Sequence, residues 1–209
     1  MKKFFTVIPL QSEDKLDSYC YKAMENKRLA MEEKTAFPIM TVINGYLEPG
    51  ETSQVIVVLT DIENVRRNYP RFLDELQQLC ERKGLVQPEI KEIVVPLDDS
   101  VNAQIDLFQK LIEYTEDGDE LFACITYGDK PISMAVRMAV QYAYRVMRNT
   151  TIDCIVYGQI DRSAGSDRSL WTGKVYDETG LVRLDEIVRL MADQKVANPK
   201  GILRDILAL

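Results

Sequence analysis

Among its 209 residues the chain has no histidine. That absence removes Ser-His-Asp and Cys-His nucleophilic catalysis, histidine-ligated metals and histidine acid–base pairs. Carboxylate chemistry stays open, but no paired carboxylates fall into a recognisable motif. Cysteine is sparse as well. Cys20, Cys80, Cys124 and Cys154 lie far apart with no C-x-x-C pair, which suits neither a zinc framework nor a small disulfide scaffold. Cys124 and Cys154 sit inside apolar runs, where a thiol serves as a small buried hydrophobe. No apolar run approaches the roughly 20 residues needed to cross a bilayer. The N-terminus, MKKFFTVIPLQSEDK, lacks a small-residue cleavage site and reads as a first strand rather than a signal peptide. A cytoplasmic protein is therefore expected. Basic charge is also in deficit. With a formal net charge of −7, the chain is a poor match for long duplex nucleic acid, which is held by many Lys and Arg contacts to phosphate. A local anion site is still allowed, because one pocket can be positive on an acidic protein.

What is present is an alternation of two patterns. Four continuous apolar runs rich in β-branched residues read as buried parallel strands: Gln54–Thr60, Glu92–Leu97, Leu121–Thr126 and Ile152–Gly158. FFTVIPL, Phe4–Leu10, supplies a plausible first strand. Helical patterns lie between them. Arg71–Lys83 puts Phe72, Leu73, Leu76 and Leu79 on one face, with Gly84 as its stop. A second follows Ser100, with Val101, Ile105, Phe108, Leu111 and Ile112 at helical spacing. A third starts near Pro131, with a narrow polar stripe of Arg137, Gln141, Tyr144, Arg145 and Arg148, and is expected to be mostly buried. Strands alternating with helices predict an α/β fold: a doubly wound, mostly parallel sheet with helices on both faces. KVYDE adds an edge strand, followed by C-terminal helices over Leu184–Asp193 and within GILRDILAL. Residues 1–195 are expected to form the main domain, and 196–209 a helical extension or linker. Ser12–Thr35 is polar and reads as a hairpin or an irregular excursion; Gly158–Gly173 reads as a flexible surface loop.

Phosphate-binding motifs are nearly absent. Gly45-Tyr-Leu-Glu-Pro-Gly50-Glu51-Thr52 resembles a P-loop only in its glycines. Glu51 stands where the motif needs lysine, and the segment follows a helical pattern rather than a strand. It reads as a turn. No G-x-G-x-x-G follows any strand.

One junction survives this sieve, ITYGDKPISMAVRMAVQYAYR. Ligands of open α/β sheets settle beyond the carboxyl ends of the strands. There Thr126 brings a hydroxyl, and Gly128 allows close approach to the backbone. Pro131 suits the first turn of a helix, whose free N–H groups and dipole favour an anion. Lys130 adds a full positive charge. The bland alternative is an ordinary turn with a solvated lysine.

These residues resemble the CARF family, the CRISPR-associated Rossmann-fold sensor domains. Thr126, Gly128 and Lys130 fall on its Thr, x, Gly, x, Lys/Arg signature. Tyr157-Gly158, VYDETGLVRLDEIVRL, Phe37-Pro38-Ile39 and VIVVLTD running into Asn64 are similar to it as well, so the resemblance spans roughly Lys3 to Asp193. Two places depart from the family pattern. Cys124 replaces an acidic or amide residue, and Pro9-Leu10-Gln11-Ser12 replaces a Gly or Ser-Thr element. The resemblance implies a Rossmann-like homodimer that holds a cyclic oligoadenylate, most often the tetra-adenylate and sometimes the hexa-adenylate, across its two-fold axis. Two copies of Lys130 would then face a ring of phosphates. Ligand-binding residues would be Leu10, Gln11 and Ser12 after the first strand, Thr60 after the second, and Thr126, Tyr127, Gly128, Asp129, Lys130 and Pro131 at the signature. Met134 either packs against an adenine or fills the core. The implied function is a sensor in type III CRISPR defence, controlling an effector fused beyond Leu209 or separate from the chain. The alternatives are a metal-independent ring nuclease using Thr126, Lys130 and Ser12, or a dimerisation scaffold that binds no nucleotide.

Overall fold

A computed structural model describes residues 1–208; Leu209, the end of the predicted tail, lies outside them. Seven strands form one sheet: β1 (Lys2–Val7), β2 (Tyr21–Ala23), β3 (Ser53–Thr60), β4 (Glu89–Val95), β5 (Glu120–Cys124), β6 (Thr151–Asp161) and β7 (Thr172–Asp177). Their order is β2-β7-β6-β5-β1-β3-β4. The five from β6 to β4 are mutually parallel, β7 runs antiparallel to β6, and β2 is parallel to β7. The helices are α1 (Ile39–Tyr46), α2 (Glu63–Lys83), α3 (Val101–Ile112), α4 (Lys130–Val146), α5 (Thr179–Asp193) and α6 (Pro199–Leu207). This is the predicted α/β architecture, a mostly parallel Rossmann-like sheet flanked by helices.

The central strands read as unbroken apolar runs because both faces of the sheet are covered there. Phe4 and Phe122 stack at 4.7 Å and join Met40, Phe72 and Leu76 in a core beneath α1 and α2. Their neighbours Phe5 and Ala123 point the opposite way, into a second core with Leu107, Leu111, Val136 and Val140 of α3 and α4. At the amino-terminal end of the sheet, Lys3 is buried against Asp119 at 2.9 Å.

Several boundaries differ from the sequence reading. β1 stops at Val7, three residues short of Leu10, and Pro9 has no N–H to continue a ladder. α2 starts at Glu63 rather than Arg71; Pro70 lies within it and masks the pattern of its first two turns. α5 starts at Thr179, five residues before Leu184. The loop expected over Gly158–Gly173 is shorter, because Gly158–Asp161 pairs antiparallel with Thr172–Val175. Ser12–Thr35 supplies β2, which lies outside β7 so that KVYDE is not the edge strand expected, and two short 3-10 turns, anchored by buried Leu16, Tyr21 and Leu29. α4 is buried only along Ile132, Ala135, Val136, Ala139, Val140 and Ala143; Met134 and Met138 are 63% and 55% exposed. Among the described residues, no helix is long and apolar enough to cross a membrane.

Candidate functional site

β1 has β3 on one side and β5 on the other, so the connections leaving β1 and β5 diverge to opposite faces of the sheet. The carboxyl ends of these two strands therefore part and leave a crevice. It holds a cavity of about 710 Å³. Of the residues singled out in sequence, Leu10, Gln11, Thr126, Tyr127, Gly128 and Asp129 line it.

The segment after β1 is held from α2. Asn64 Nδ2 donates to the Leu10 carbonyl at 3.0 Å, and Asn68 Nδ2 donates to Pro9 and Gln11 carbonyls at 3.0 and 2.8 Å. One turn on, Arg71 donates to the Leu16 carbonyl at 2.6 Å and to Ser18 Oγ at 2.7 Å. One helix edge thus fixes the whole wall, at i, i+4 and i+7 spacing. Gln11 gives its own amide N–H to the Lys15 carbonyl at 3.2 Å.

The signature residues are engaged more closely than their sequence suggests. Thr126 Oγ1 accepts the Gly158 N–H at 2.8 Å and lies 3.1 Å from the buried Cys124 Sγ, stitching β5 to β6. Tyr127 donates its hydroxyl to the Ala36 carbonyl at 2.6 Å, and burial pushes that hydroxyl's pKa well above the ordinary tyrosine range. Gly128 has φ +90°, and a Cβ there would meet Val7 Cγ1 at 2.9 Å. Backbone conformation and packing against β1 require this glycine, independently of any ligand.

Five predicted residues do not line the cavity: Ser12, Thr60, Lys130, Pro131 and Met134. Thr60 alternates in step with Ile56 and Val58, which face α3 and α4, and it is buried with no partner for its hydroxyl among the described residues. Ser12 precedes the 3-10 turn Glu13–Lys15 without capping it. Pro131 occupies the first turn of α4 as expected. Lys130 is exposed and joins no ion pair among the described residues. Asp129 makes no side-chain cap. The N–H groups of Gly128, Asp129 and Lys130 likewise find no backbone partner among the described residues, so this helix start is open.

Apart from Pro9, Gly158 and Ile160, the remaining lining comes from two segments that the sequence reading left without a role. Lys15, Asp17, Tyr19 and Tyr21 come from the excursion after β1; Arg162, Arg168 and Trp171 come from the β6–β7 loop. Tyr21 reaches the wall because Gly158 and Gly173 leave room for its ring; a Cβ on Gly173 would stand 2.6 Å from it. The Trp171 indole N–H donates to the Gly165 carbonyl at 2.8 Å, and the Arg162 guanidinium lies 5.1 Å from the ring centroid. Arg168 pairs with Asp17. Neither Lys15 nor Arg162 joins an ion pair among the described residues. Asp161, next to Arg162 in the chain, is taken by Lys174 at 2.8 Å, and that ammonium holds its carboxyl well below the usual range. A sequence signal for this half did exist: the chain's single tryptophan, with two arginines within ten residues of it, between Gly158 and Gly173.

Free cations, an open helix start and aromatic walls equip the cavity to hold an anion that carries ring systems. Among the described residues no cluster of three or more carboxylates and thiols could hold a metal ion, and Cys80, Cys124 and Cys154 are buried free thiols. No family model matches the chain, and no curated protein matches it.

Proposed function

We propose that this chain is a binding module for a cyclic oligoadenylate, acting as a homodimeric sensor of the CARF type in type III CRISPR defence. The observation that carries the reading is the cavity at the divergence of β1 and β5. Lys15 and Arg162 reach it without carboxylate partners among the described residues, beside the uncapped start of α4. Cations left unpaired on an acidic chain call for an anionic ligand. The tyrosines and Trp171 suit the bases of a nucleotide better than a bare phosphate.

The exposed side of α4 supports the dimer. Met134 and Met138 stand out from it, and the adjacent α3 leaves Val101 74% and Ile105 50% exposed. Covering such a face with a second copy would remove its apolar area from water. It would also bring two Lys130 ammonium groups and two open helix starts toward one axis, where a ring of four or six phosphates has matching symmetry. The tetra-adenylate is the favoured ligand, with the hexa-adenylate as a larger option. An effector, fused beyond Leu209 or separate, would read the closure of the dimer.

Binding without cleavage is the favoured form. The Thr126 hydroxyl is already hydrogen-bonded within the sheet, and Ser12 lies outside the cavity. A ring nuclease would need such groups free to orient the ligand's own ribose hydroxyl. The test is calorimetric titration of the purified protein with cyclic tetra- and hexa-adenylate, with chromatography of the mixture afterwards. Saturable binding with the ring intact supports the sensor. Linear products would turn the reading to a ring nuclease, and an intact dimer that binds neither ring would leave a scaffold.

A further inference from the structure

The outer wall of the cavity is closed by an ion pair between segments far apart in the chain, beside a longer hydrogen bond from Arg168 Nη2 to the Asp14 carbonyl at 3.5 Å. Arg168, in the β6–β7 loop, donates to Asp17 Oδ2 through Nε at 2.9 Å and also through Nη2. The same oxygen accepts the Tyr19 hydroxyl at 3.0 Å. All three residues line the cavity. A planar guanidinium and a hydroxyl converging on one anionic oxygen form a donor set that suits a phosphate oxygen equally well.

We propose that Arg168 and Tyr19 form a phosphate subsite, which Asp17 fills until a ligand displaces it. The inference rests on the reading of the cavity as a polyanion site and adds to it an internal competitor. The side chains of the pair are 47% and 37% exposed, and ion pairs so open to water contribute little to stability. Exchange of one anion for another on Arg168 therefore costs the fold little. Each phosphodiester of a cyclic oligoadenylate carries one charge on two free oxygens, as the carboxylate does, so it can take the same donors. Its neighbours in the ring add the charge that a lone carboxylate lacks. Asp17 would then set the affinity threshold of the site and keep Arg168 in place while the cavity is empty. Once released, it would leave Arg168 held by the ligand instead of by its own carboxylate.

The test compares Asp17→Asn with Glu13→Gln, an equal change of charge in the neighbouring turn, outside the cavity lining. Cyclic tetra-adenylate and inorganic tripolyphosphate serve as probes. Asp17→Asn should bind both about tenfold more tightly, the scale of one charge-assisted hydrogen bond. Glu13→Gln should change either affinity by less than about twofold, and adding Arg168→Ala to Asp17→Asn should abolish the gain. Equal affinities for Asp17→Asn and wild type would overturn the subsite. A second readout needs no ligand. Trp171 is the only tryptophan, and the Arg168 guanidinium lies 6.0 Å from its ring centroid, so Asp17→Asn should raise acrylamide quenching of its fluorescence. If wild type binds neither probe but quenching rises, the ion pair stands and the polyanion reading of the cavity falls. If quenching is unchanged, Asp17 does not hold this wall.

Discussion

The two ends of the sheet treat charge in opposite ways. At the amino-terminal end every strand-borne cation meets a carboxylate. Lys2 pairs with Glu51 at 2.6 Å, and Lys3 with Asp119 at 2.9 Å, with Glu116 at 3.4 Å. The Lys3 and Asp119 side chains are 3% and 1% exposed, so neither tolerates loss of the other. At the carboxyl end Lys15, Arg162 and Lys130 lack partners among the described residues, and the pairs there, Arg168 with Asp17, Lys174 with Asp161 and Arg66 with Asp61, are open to water. Charge holds the fold together at one end and stays available to a ligand at the other. That contrast separates a structural ion pair from a binding residue where residue type alone does not.

Four substitutions probe the contrast. The largest effect is expected from Asp119→Ala, which leaves the Lys3 ammonium buried and under-compensated. Urea unfolding should show about 3–5 kcal/mol of lost stability, with ligand affinity of the folded fraction unchanged. A loss below about 1 kcal/mol would erase the distinction between the two ends. Gly128→Ala comes next. It places a Cβ against Val7 at φ +90° and should cost about 1–3 kcal/mol, read as a lower thermal midpoint. If it weakened binding while leaving stability intact, the glycine would serve the ligand rather than the backbone. Arg162→Ala should reverse the Asp119 pattern. Stability should move by less than about 0.5 kcal/mol, while affinity for cyclic tetra-adenylate falls about 10- to 100-fold. The smallest effect is assigned to Thr60→Val. Removing a buried hydroxyl without a partner should leave stability equal or raise it by about 1 kcal/mol, with binding unchanged. Weakened binding would return Thr60 to the site.

The two halves of the site differ in how far the sequence exposes them. β3, β5 and β6 are legible because burial on both faces writes an apolar run into consecutive residues, β4 because its β-branched residues cluster although only Ile93 and Val95 are buried, and the start of α4 because proline and glycine punctuate it. Those signals are local. The other half is assembled by contacts that no window of neighbouring residues contains. Arg168 meets Asp17 across 151 positions, and Asn68 meets Pro9 across 59. β2 is only three residues long and pairs with a strand formed some 150 residues later, so Tyr19 and Tyr21 look like part of a polar loop. Lys130 illustrates the converse. It carries the most specific motif in the chain, yet does not line the cavity; in the proposed reading it acts only together with a second copy.

The central claim is that unpaired cations at the carboxyl end of the sheet hold one ring of phosphates between two subunits. The direct measurement is titration of Trp171 fluorescence with cyclic tetra-adenylate at low and at high salt. The account predicts saturation at one ring per two chains, with affinity falling steeply as salt rises. A flat titration, or binding of one ring per chain that ignores salt, would contradict it.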